Sequence, residues 1–163
     1  MPGQERDLSE QPLIVNHGYL GEPCEGGNIF QATAYFARWA GPMTESDKPY
    51  QYASLYNAVE VRKHVQNVVF IPPRLEPQNI DSIKNDVMNF GAVYNSMYFD
   101  DYCYNSVKYA YYNHEIEEGG HGVAIVGWED DFDRNRFREI PPGDGAFIVK
   151  NSWGANWGEE GYF

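Results

Sequence analysis

The stretch from Gly120 to Gly161 constrains the fold of this 163-residue chain more than any other. It holds two short apolar runs, H-G-V-A-I-V-G-W from His121 and A-F-I-V-K-N-S-W-G from Ala146, separated by an acidic loop. Apolar runs of this length between glycines and polar residues predict buried strands, and their order predicts a long hairpin. Such a hairpin brings His121 beside Asn151.

A histidine beside an asparagine has a chemical meaning. An imidazole that takes up a proton needs its other ring nitrogen held by a fixed acceptor, and the side-chain oxygen of Asn151 can hold it without adding charge. Trp153 follows closely, and its indole can shield that hydrogen bond from water. The residues therefore predict a proton-transfer pair, although a nucleophile is missing beside it.

Composition limits the classes of partner. The formal net charge is -12, which makes nucleic acid and anionic membrane surfaces poor partners. No apolar run is long enough to span a bilayer, and aromatic residues make up 16% of the chain, which argues against disorder. The two cysteines, Cys24 and Cys103, are too few for a disulfide framework and are both expected to be thiols.

The order of elements predicts an α+β fold, with helices first and antiparallel strands after Gly91. Asn28–Ala40 is predicted as a helix capped by Asn28 and ended by Gly41-Pro42, and Ile80–Phe90 as a second helix capped by Asn79. The other predicted elements are a helical turn at Leu8–Leu13 and strands at Val65–Ile71, Ala92–Phe99, Val107–Tyr112, Gly122–Trp128, Ala146–Val149 and Gly161–Phe163.

Four segments resemble the papain-like cysteine peptidases, in the order that this family has them. They are L-S-E-Q from Leu8, C-E-G-G from Cys24, the His121 segment, and K-N-S-W-G-A-N-W-G-E-E-G-Y from Lys150. P-P-G-D-G from Pro141 and A-Y-F-A-R-W-A-G-P from Ala34 further resemble a prokaryotic subgroup that carries a lectin-like domain.

The resemblance implies a partial papain-like α+β fold. Residues 1–64 would be the remnant of the helical half, and residues 65–163 the β-barrel-like half with the last strand cut off. His121 would be the general base and acid, oriented by Asn151.

The same resemblance implies the substrate and its contacts. Gly26 and Gly27 would bind the backbone of a peptide or protein substrate, Trp153 would cover the histidine, and Trp157 would support the cleft. No cofactor or metal is implied, and a secreted or cell-surface location is expected.

The nucleophile segment of the family does not occur in this sequence. Its pattern is C-G-[SA]-C-[WY], about 130 to 150 residues before the histidine and asparagine, and no such pattern is present. Cys24 precedes a glutamate, and Cys103 lies among aromatic and acidic residues, so neither provides the setting of a reactive thiolate. The chain alone is therefore expected to be inactive.

Three accounts of the missing nucleophile stay open. The chain could be a fragment of an active peptidase, or it could be completed by a separate N-terminal piece. It could also be a non-catalytic protein that binds peptides or serves as an interaction module. A lectin-like domain is a further candidate partner.

Two motifs resemble metal sites without completing one. Asp131, Asp133 and Asn135 alternate like a calcium loop, but Arg136 takes the glycine position and Pro142 the position of the closing glutamate. His114 begins H-E-I-E-E, in which Glu118 replaces the second zinc-binding histidine. The loop Glu129–Gly145 is therefore predicted as a solvated loop.

Overall fold

The computed structural model describes residues 7–19, 26–51, 61, 63–72, 76, 79–115 and 119–163. The chain divides into two compact units, Met1–Phe70 and Ile71–Phe163. The boundary expected from the sequence, after residue 64, lies slightly earlier. The assignment of these units to the two halves of a papain-like fold stays a prediction.

The first unit contains two helices, α1 at Gln11–Val15 and α2 at Ile29–Ala37. The first turn of α2 is closed by a capping box, in which the Asn28 side chain accepts from the Gln31 backbone N–H at 3.0 Å. The Gln31 side chain in turn accepts from the Asn28 N–H at 3.1 Å. The predicted cap at Asn28 is confirmed, because these two bonds satisfy donors that a helix start leaves free.

Tyr35 anchors α2 in the core of the first unit. It is 1% exposed, its ring meets Phe36 edge-on at 5.4 Å, and its hydroxyl donates to the Ala40 carbonyl oxygen. The helix ends at Ala37, before the predicted end at Ala40, because the chain turns there and Trp39 adopts a positive φ of 61°.

The predicted strand at Val65–Ile71 is wrong. The structure gives these residues neither helix nor strand, and Val68, Val69 and Phe70 are 43%, 63% and 54% exposed. An apolar run becomes a strand only where a neighbouring strand satisfies its backbone groups. This run has the composition of a strand, but no strand lies beside it in the described part of the first unit.

Helix α3, Asp81–Phe90, opens the second unit. Ile80, not the predicted Asn79, occupies the cap position, and no side chain caps the helix. Gly91 ends it as predicted, with a φ of 92° and its N–H donating to the Val87 carbonyl at 2.8 Å. Among the apolar residues of this helix, Val87 is buried, whereas Phe90 is 66% exposed.

A three-stranded antiparallel sheet forms the centre of the second unit. Its order is β1 (Val93–Met97), β4 (His121–Glu129) and β5 (Ala146–Lys150). Val123 and Ile125 of the central strand are each 5% exposed and form its buried face. A bulge between Ile125 and Gly127 shifts the pairing of β4 with β5.

A second, two-stranded sheet pairs β2 (Tyr104–Asn105) with β3 (Ala110–Tyr111). It confirms only the end of the predicted strand Val107–Tyr112. The predicted last strand is reduced to bridges, in which Phe163 and Val149 exchange backbone hydrogen bonds at 2.8 and 3.0 Å.

The long loop between β4 and β5 is more ordered than the sequence suggested. It contains a 3-10 turn at Arg134–Arg136, and Phe137 is 9% exposed, with its ring packed edge-on against Phe132 and Tyr112. The helices and antiparallel strands confirm the α+β class. Within the described residues, no helix is both long and apolar enough to cross a bilayer.

Two of the glycines with a positive φ in the turn after Asn151, Gly154 and Gly158, differ in their surroundings. Gly158 has a φ of 60°, and an added Cβ would lie 2.3 Å from the Tyr162 carbonyl oxygen. Gly154 has a φ of 87°, and an added Cβ would meet nothing within 4 Å. An alanine at either position would have a strained backbone, but only an alanine at position 158 would also clash with a backbone carbonyl.

We expect Gly154→Ala to lower the free energy of unfolding by about 1 kcal/mol, the cost of a left-handed backbone for an L-residue. Gly158→Ala should cost at least about twice as much, because the Tyr162 carbonyl must also move. Urea unfolding of the two variants beside the unsubstituted chain measures both losses. Equal losses would contradict the tight geometry of this turn.

Candidate active site

The register of the central sheet places His121 and Asn151 close together. Ala124 pairs with Lys150, so Asn151 follows directly at the end of β5. The continued register sets Asn151 opposite Val123, and His121 lies two residues from Val123 on the same face of β4. The two side chains are therefore diagonal neighbours.

A hydrogen bond joins the two side chains. His121 Nε2 lies 2.9 Å from Asn151 Oδ1, and the Ser152 backbone N–H donates to the same oxygen at 2.7 Å. Because a backbone N–H can only donate, the atom that receives it is the amide oxygen. His121 Nε2 must therefore carry the hydrogen of that bond, which leaves Nδ1 of a neutral imidazole with its lone pair.

Asn151 is buried, with 6% of its surface exposed. Its backbone N–H donates to the Gly161 carbonyl at 2.9 Å, which fixes the start of the turn. Its Nδ2 is buried and has no hydrogen-bond partner in the part of the chain that the structure describes. The amide is thus held by its oxygen rather than by its nitrogen.

Aromatic rings enclose the histidine. The Trp153 indole is stacked on the imidazole with centroids 4.6 Å apart and planes at 28°. Phe99 meets the Trp153 ring edge-on at 4.9 Å and the His121 ring at 6.1 Å. Trp153 is 46% exposed, and its role as a cover of the histidine stays a prediction.

Trp157 lies one ring further from the histidine. It meets Trp153 edge-on at 4.9 Å and stacks on Tyr104 at 5.0 Å. The structure therefore brings four of the predicted site residues together in the second unit: His121, Asn151, Trp153 and Trp157.

The two predicted backbone-binding glycines belong to the first unit. Gly26 and Gly27 are exposed and directly precede Asn28, the cap of α2. Gly26 has a φ of 87°, and an added Cβ would meet nothing within 4 Å. The backbone is accessible at this point, and its role toward a substrate stays a prediction.

Cys103 is free and half-buried at the end of a 3-10 turn, Asp101–Cys103. Burial raises the pKa of its thiol, and the negative charges of Asp100, Glu139 and Glu115 raise that pKa further. A nucleophilic cysteine needs the opposite, a pKa lowered by positive charge or a helix N-terminus. Cys24 lies outside the described residues.

Two acidic residues of the loop, Asp133 and Asp144, accept hydrogen bonds within the loop itself. Asp133 Oδ1 accepts from the Asn135 backbone N–H at 2.8 Å and from its side chain at 2.7 Å. Asp144 accepts from the Arg134 backbone N–H at 3.1 Å. No group of three or more His, Cys, Asp or Glu side chains suited to a metal ion is found among the described residues.

The sequence reading missed Phe99 and Tyr111, whose rings stack at 4.9 Å behind the histidine. The predicted strand Ala92–Phe99 includes Phe99 without giving it a role at the site. The high tyrosine and phenylalanine content between residues 98 and 112 was the available signal. The content of aromatic residues alone could not predict which rings from separate segments of the chain make contact.

Comparison with known proteins decides the family. The family model described as papain family cysteine protease matches residues 2–163. The chain belongs to the papain family of cysteine proteases. A cathepsin L-like protein of Caenorhabditis elegans is 32% identical over 167 residues, which are 98% of this chain and 46% of that protein. Pro-cathepsin H of Mus musculus is 30% identical over 99% of this papain-family chain and 46% of its own length.

Solved structures agree with this assignment. The cysteine protease and lectin-like domains of Cwp84, a surface layer associated protein of Clostridium difficile, match with a TM-score of 0.84 and 28% identity. The match covers 99% of this chain and 38% of that one. Digestive procathepsin L2 of Tenebrio molitor matches with a TM-score of 0.73 and 27% identity, over 99% and 48% of the two chains. The papain-family chain thus spans less than half of each of these relatives.

The raised pKa of Cys103 has a measurable consequence. In a Cys24→Ser background, we expect iodoacetamide to modify Cys103 at pH 7 more slowly than it modifies a cysteine in an unstructured peptide. The rate should rise about tenfold per pH unit to beyond pH 8.5, the ordinary pKa of a thiol, because only the thiolate reacts. A doubly substituted chain, Cys24→Ser with Cys103→Ser, gives the background. A rate that levels off below pH 8 would contradict the geometry of this site.

Proposed function

We propose that this chain supplies the histidine and asparagine of a papain-type cysteine peptidase, which hydrolyses peptide bonds through a thioester intermediate. The observation that carries the proposal is the 2.9 Å hydrogen bond between His121 Nε2 and Asn151 Oδ1. It fixes the ring so that Nδ1 is the nitrogen available for proton transfer. Membership of the papain family supplies the reaction class.

The proposed reaction uses His121 twice. Nδ1 accepts the proton of a cysteine thiol, and the thiolate attacks the carbonyl carbon of the scissile peptide bond. The imidazolium then donates that proton to the departing amine nitrogen as the C–N bond breaks, which leaves a thioester. A water molecule, deprotonated by the same nitrogen, attacks the thioester and releases the acid and the thiol.

Asn151 orients the ring throughout this cycle. When His121 is protonated, its Nε2–H still donates to Asn151 Oδ1, so the ring does not turn between the two proton transfers. Trp153 covers this bond on the solvent side, and a hydrogen bond screened from water is stronger than an exposed one.

The thiol is proposed to come from sequence beyond these 163 residues, in a C-G-[SA]-C-[WY] segment. Neither cysteine of this chain has the setting of a nucleophile. The pKa of the Cys103 thiol is raised, and Cys24 precedes a glutamate. The chain spans 46% of the Caenorhabditis elegans relative and 38% of the Cwp84 chain, which is consistent with a nucleophile encoded elsewhere in the whole protein.

Peptide binding is proposed for the glycine pair of the first unit. The backbone at Gly26 and Gly27 is exposed, and an added Cβ at Gly26 would meet nothing within 4 Å. An extended peptide can pair with an exposed backbone as with an edge strand. Trp157, beside Trp153, would support the leaving-group side of the substrate.

The setting of the whole protein is also a proposal. Cwp84 is a surface layer associated protein with a lectin-like domain. Its similarity covers 99% of this chain and 38% of the Cwp84 chain. We therefore propose a secreted or cell-surface peptidase, with a lectin-like domain as a candidate partner. The net charge of -12 argues against nucleic acid as a further partner.

The test begins with the coding sequence upstream of Met1, where we expect an in-frame C-G-[SA]-C-[WY] segment. The chain extended by this segment should cleave a fluorogenic peptide in a thiol-dependent way. His121→Ala should lower kcat by about 10² to 10⁴, the usual contribution of a general base. Asn151→Ala should lower it less, because only the orientation of the ring is lost.

His114→Ala is the matched control. His114 is exposed and pairs with Glu139 at 2.9 Å, and it has no part in the proposed proton transfer, so this variant should keep the kcat of the unsubstituted enzyme. A folded extended chain that binds peptides without cleaving them would overturn the proposal in favour of a non-catalytic binding protein. Equal activity of the His121→Ala variant would overturn the assigned general base.

A further inference from the structure

Phe99 contacts both members of the ring stack over the candidate catalytic pair. It lies just after β1. Its ring packs edge-on with His121, with centroids 6.1 Å apart and planes at 69°, and with Trp153, with centroids 4.9 Å apart and planes at 88°. Edge-on contacts of this kind are favourable beyond the area that they bury. Phe99 offers no group for proton transfer, so its contribution to the site is packing against the imidazole and its cover.

Tyr111 of β3 fixes the backbone that carries Phe99. Its hydroxyl donates to the Tyr98 carbonyl oxygen at 2.8 Å and accepts from the Asp100 N–H at 3.3 Å. These groups belong to the two peptide bonds on either side of Phe99. The Tyr111 ring also stacks on the Phe99 ring, with centroids 4.9 Å apart and planes at 15°.

The Tyr111 hydroxyl remains a donor at neutral pH. Burial raises the pKa of this phenol above its ordinary value, although hydrogen bonds with Asn113 and Asp100 lower it in part. One side chain thus holds both the ring of Phe99 and its two flanking peptide groups.

We propose that Tyr111 and Phe99 are positioning residues for His121. Tyr111 sets the place of Phe99, and Phe99 holds the imidazole and Trp153 in the stack that keeps the Nε2 hydrogen bond to Asn151 aligned and dry. The inference rests on the proposed function of the His121–Asn151 pair. Both residues act through other side chains and take no part in bond making or breaking.

Tyr104 provides a matched control. Its ring also contacts Phe99, at 5.8 Å, and its hydroxyl is also buried. That hydroxyl, however, has no hydrogen-bond partner among the described residues. Tyr111→Phe and Tyr104→Phe therefore remove one oxygen each from the same cluster, and only the first removes hydrogen bonds beside Phe99.

The experiment follows the His121 Nε2 proton by NMR in the ¹⁵N-labelled 163-residue chain, with its signal assigned by its loss in His121→Ala. We expect Tyr111→Phe to speed the exchange of this proton with water about tenfold, roughly the effect of one lost net hydrogen bond. Tyr104→Phe should leave the exchange rate unchanged within about twofold.

The amide protons of Val123 and Ile125, buried in the middle of β4, serve as the internal reference. General loosening of the unit speeds their exchange as well, whereas loss of positioning speeds only the imidazole proton. If Tyr111→Phe does not fold, Phe99→Leu replaces it, since leucine fills much of the space without the aromatic edge. The same acceleration in that variant supports the proposal.

Two failures are distinguishable. If the unsubstituted chain shows no protected Nε2 proton, the hydrogen bond on which the proposed function rests is absent in solution. If the proton is protected but exchanges equally fast in Tyr111→Phe and Tyr104→Phe, or is unchanged in Phe99→Leu, the pair His121–Asn151 stands and the positioning role is overturned.

Discussion

The pairing of β4 with β5 is the constraint on which the candidate site depends. Ala124 opposite Lys150 sets the place of Asn151, and a shift of this register by one residue would move its side chain to the other face of the sheet. The register is anchored by Val123 and Ile125, which are buried on one face of β4. The apolar core and the polar pair are thus placed by the same backbone hydrogen bonds.

The aromatic cluster converts this placement into a fixed ring orientation. A sheet determines where the His121 backbone lies, but rotation about the side-chain bonds is limited only by neighbouring groups. Trp153 takes one face of the imidazole and Phe99 approaches with its edge, while Asn151 holds Nε2. Three contacts from two segments of chain, one at Phe99 and one at residues 151–153, therefore define the orientation of one ring.

The sequence predicted the parts that local signals determine. The capping box at Asn28 and Gln31 follows from side chains three residues apart, and β4 and β5 follow from short apolar runs.

The strand predicted at Val65–Ile71 is wrong because strand formation needs a partner strand, which composition does not reveal. The predicted cap at Asn79 is wrong because the helix begins one residue later, with Ile80 in the cap position. Phe99 lies after the end of β1 and His121 begins β4, so their contact joins residues far apart in sequence, and no spacing rule could predict it.

An asparagine at position 151 suits its surroundings better than an aspartate would. The side chain is 6% exposed, and a carboxylate there would need compensation for its lost hydration in a chain that already carries a net charge of -12. The amide oxygen accepts from both His121 Nε2 and the Ser152 N–H without that cost. The remaining cost is that of Nδ2, a buried donor without a partner among the residues that the structure describes, about 1 to 3 kcal/mol. Because two donors meet on the oxygen, a flipped amide would lose both bonds, and this asymmetry holds the acceptor toward the histidine in either protonation state of the ring.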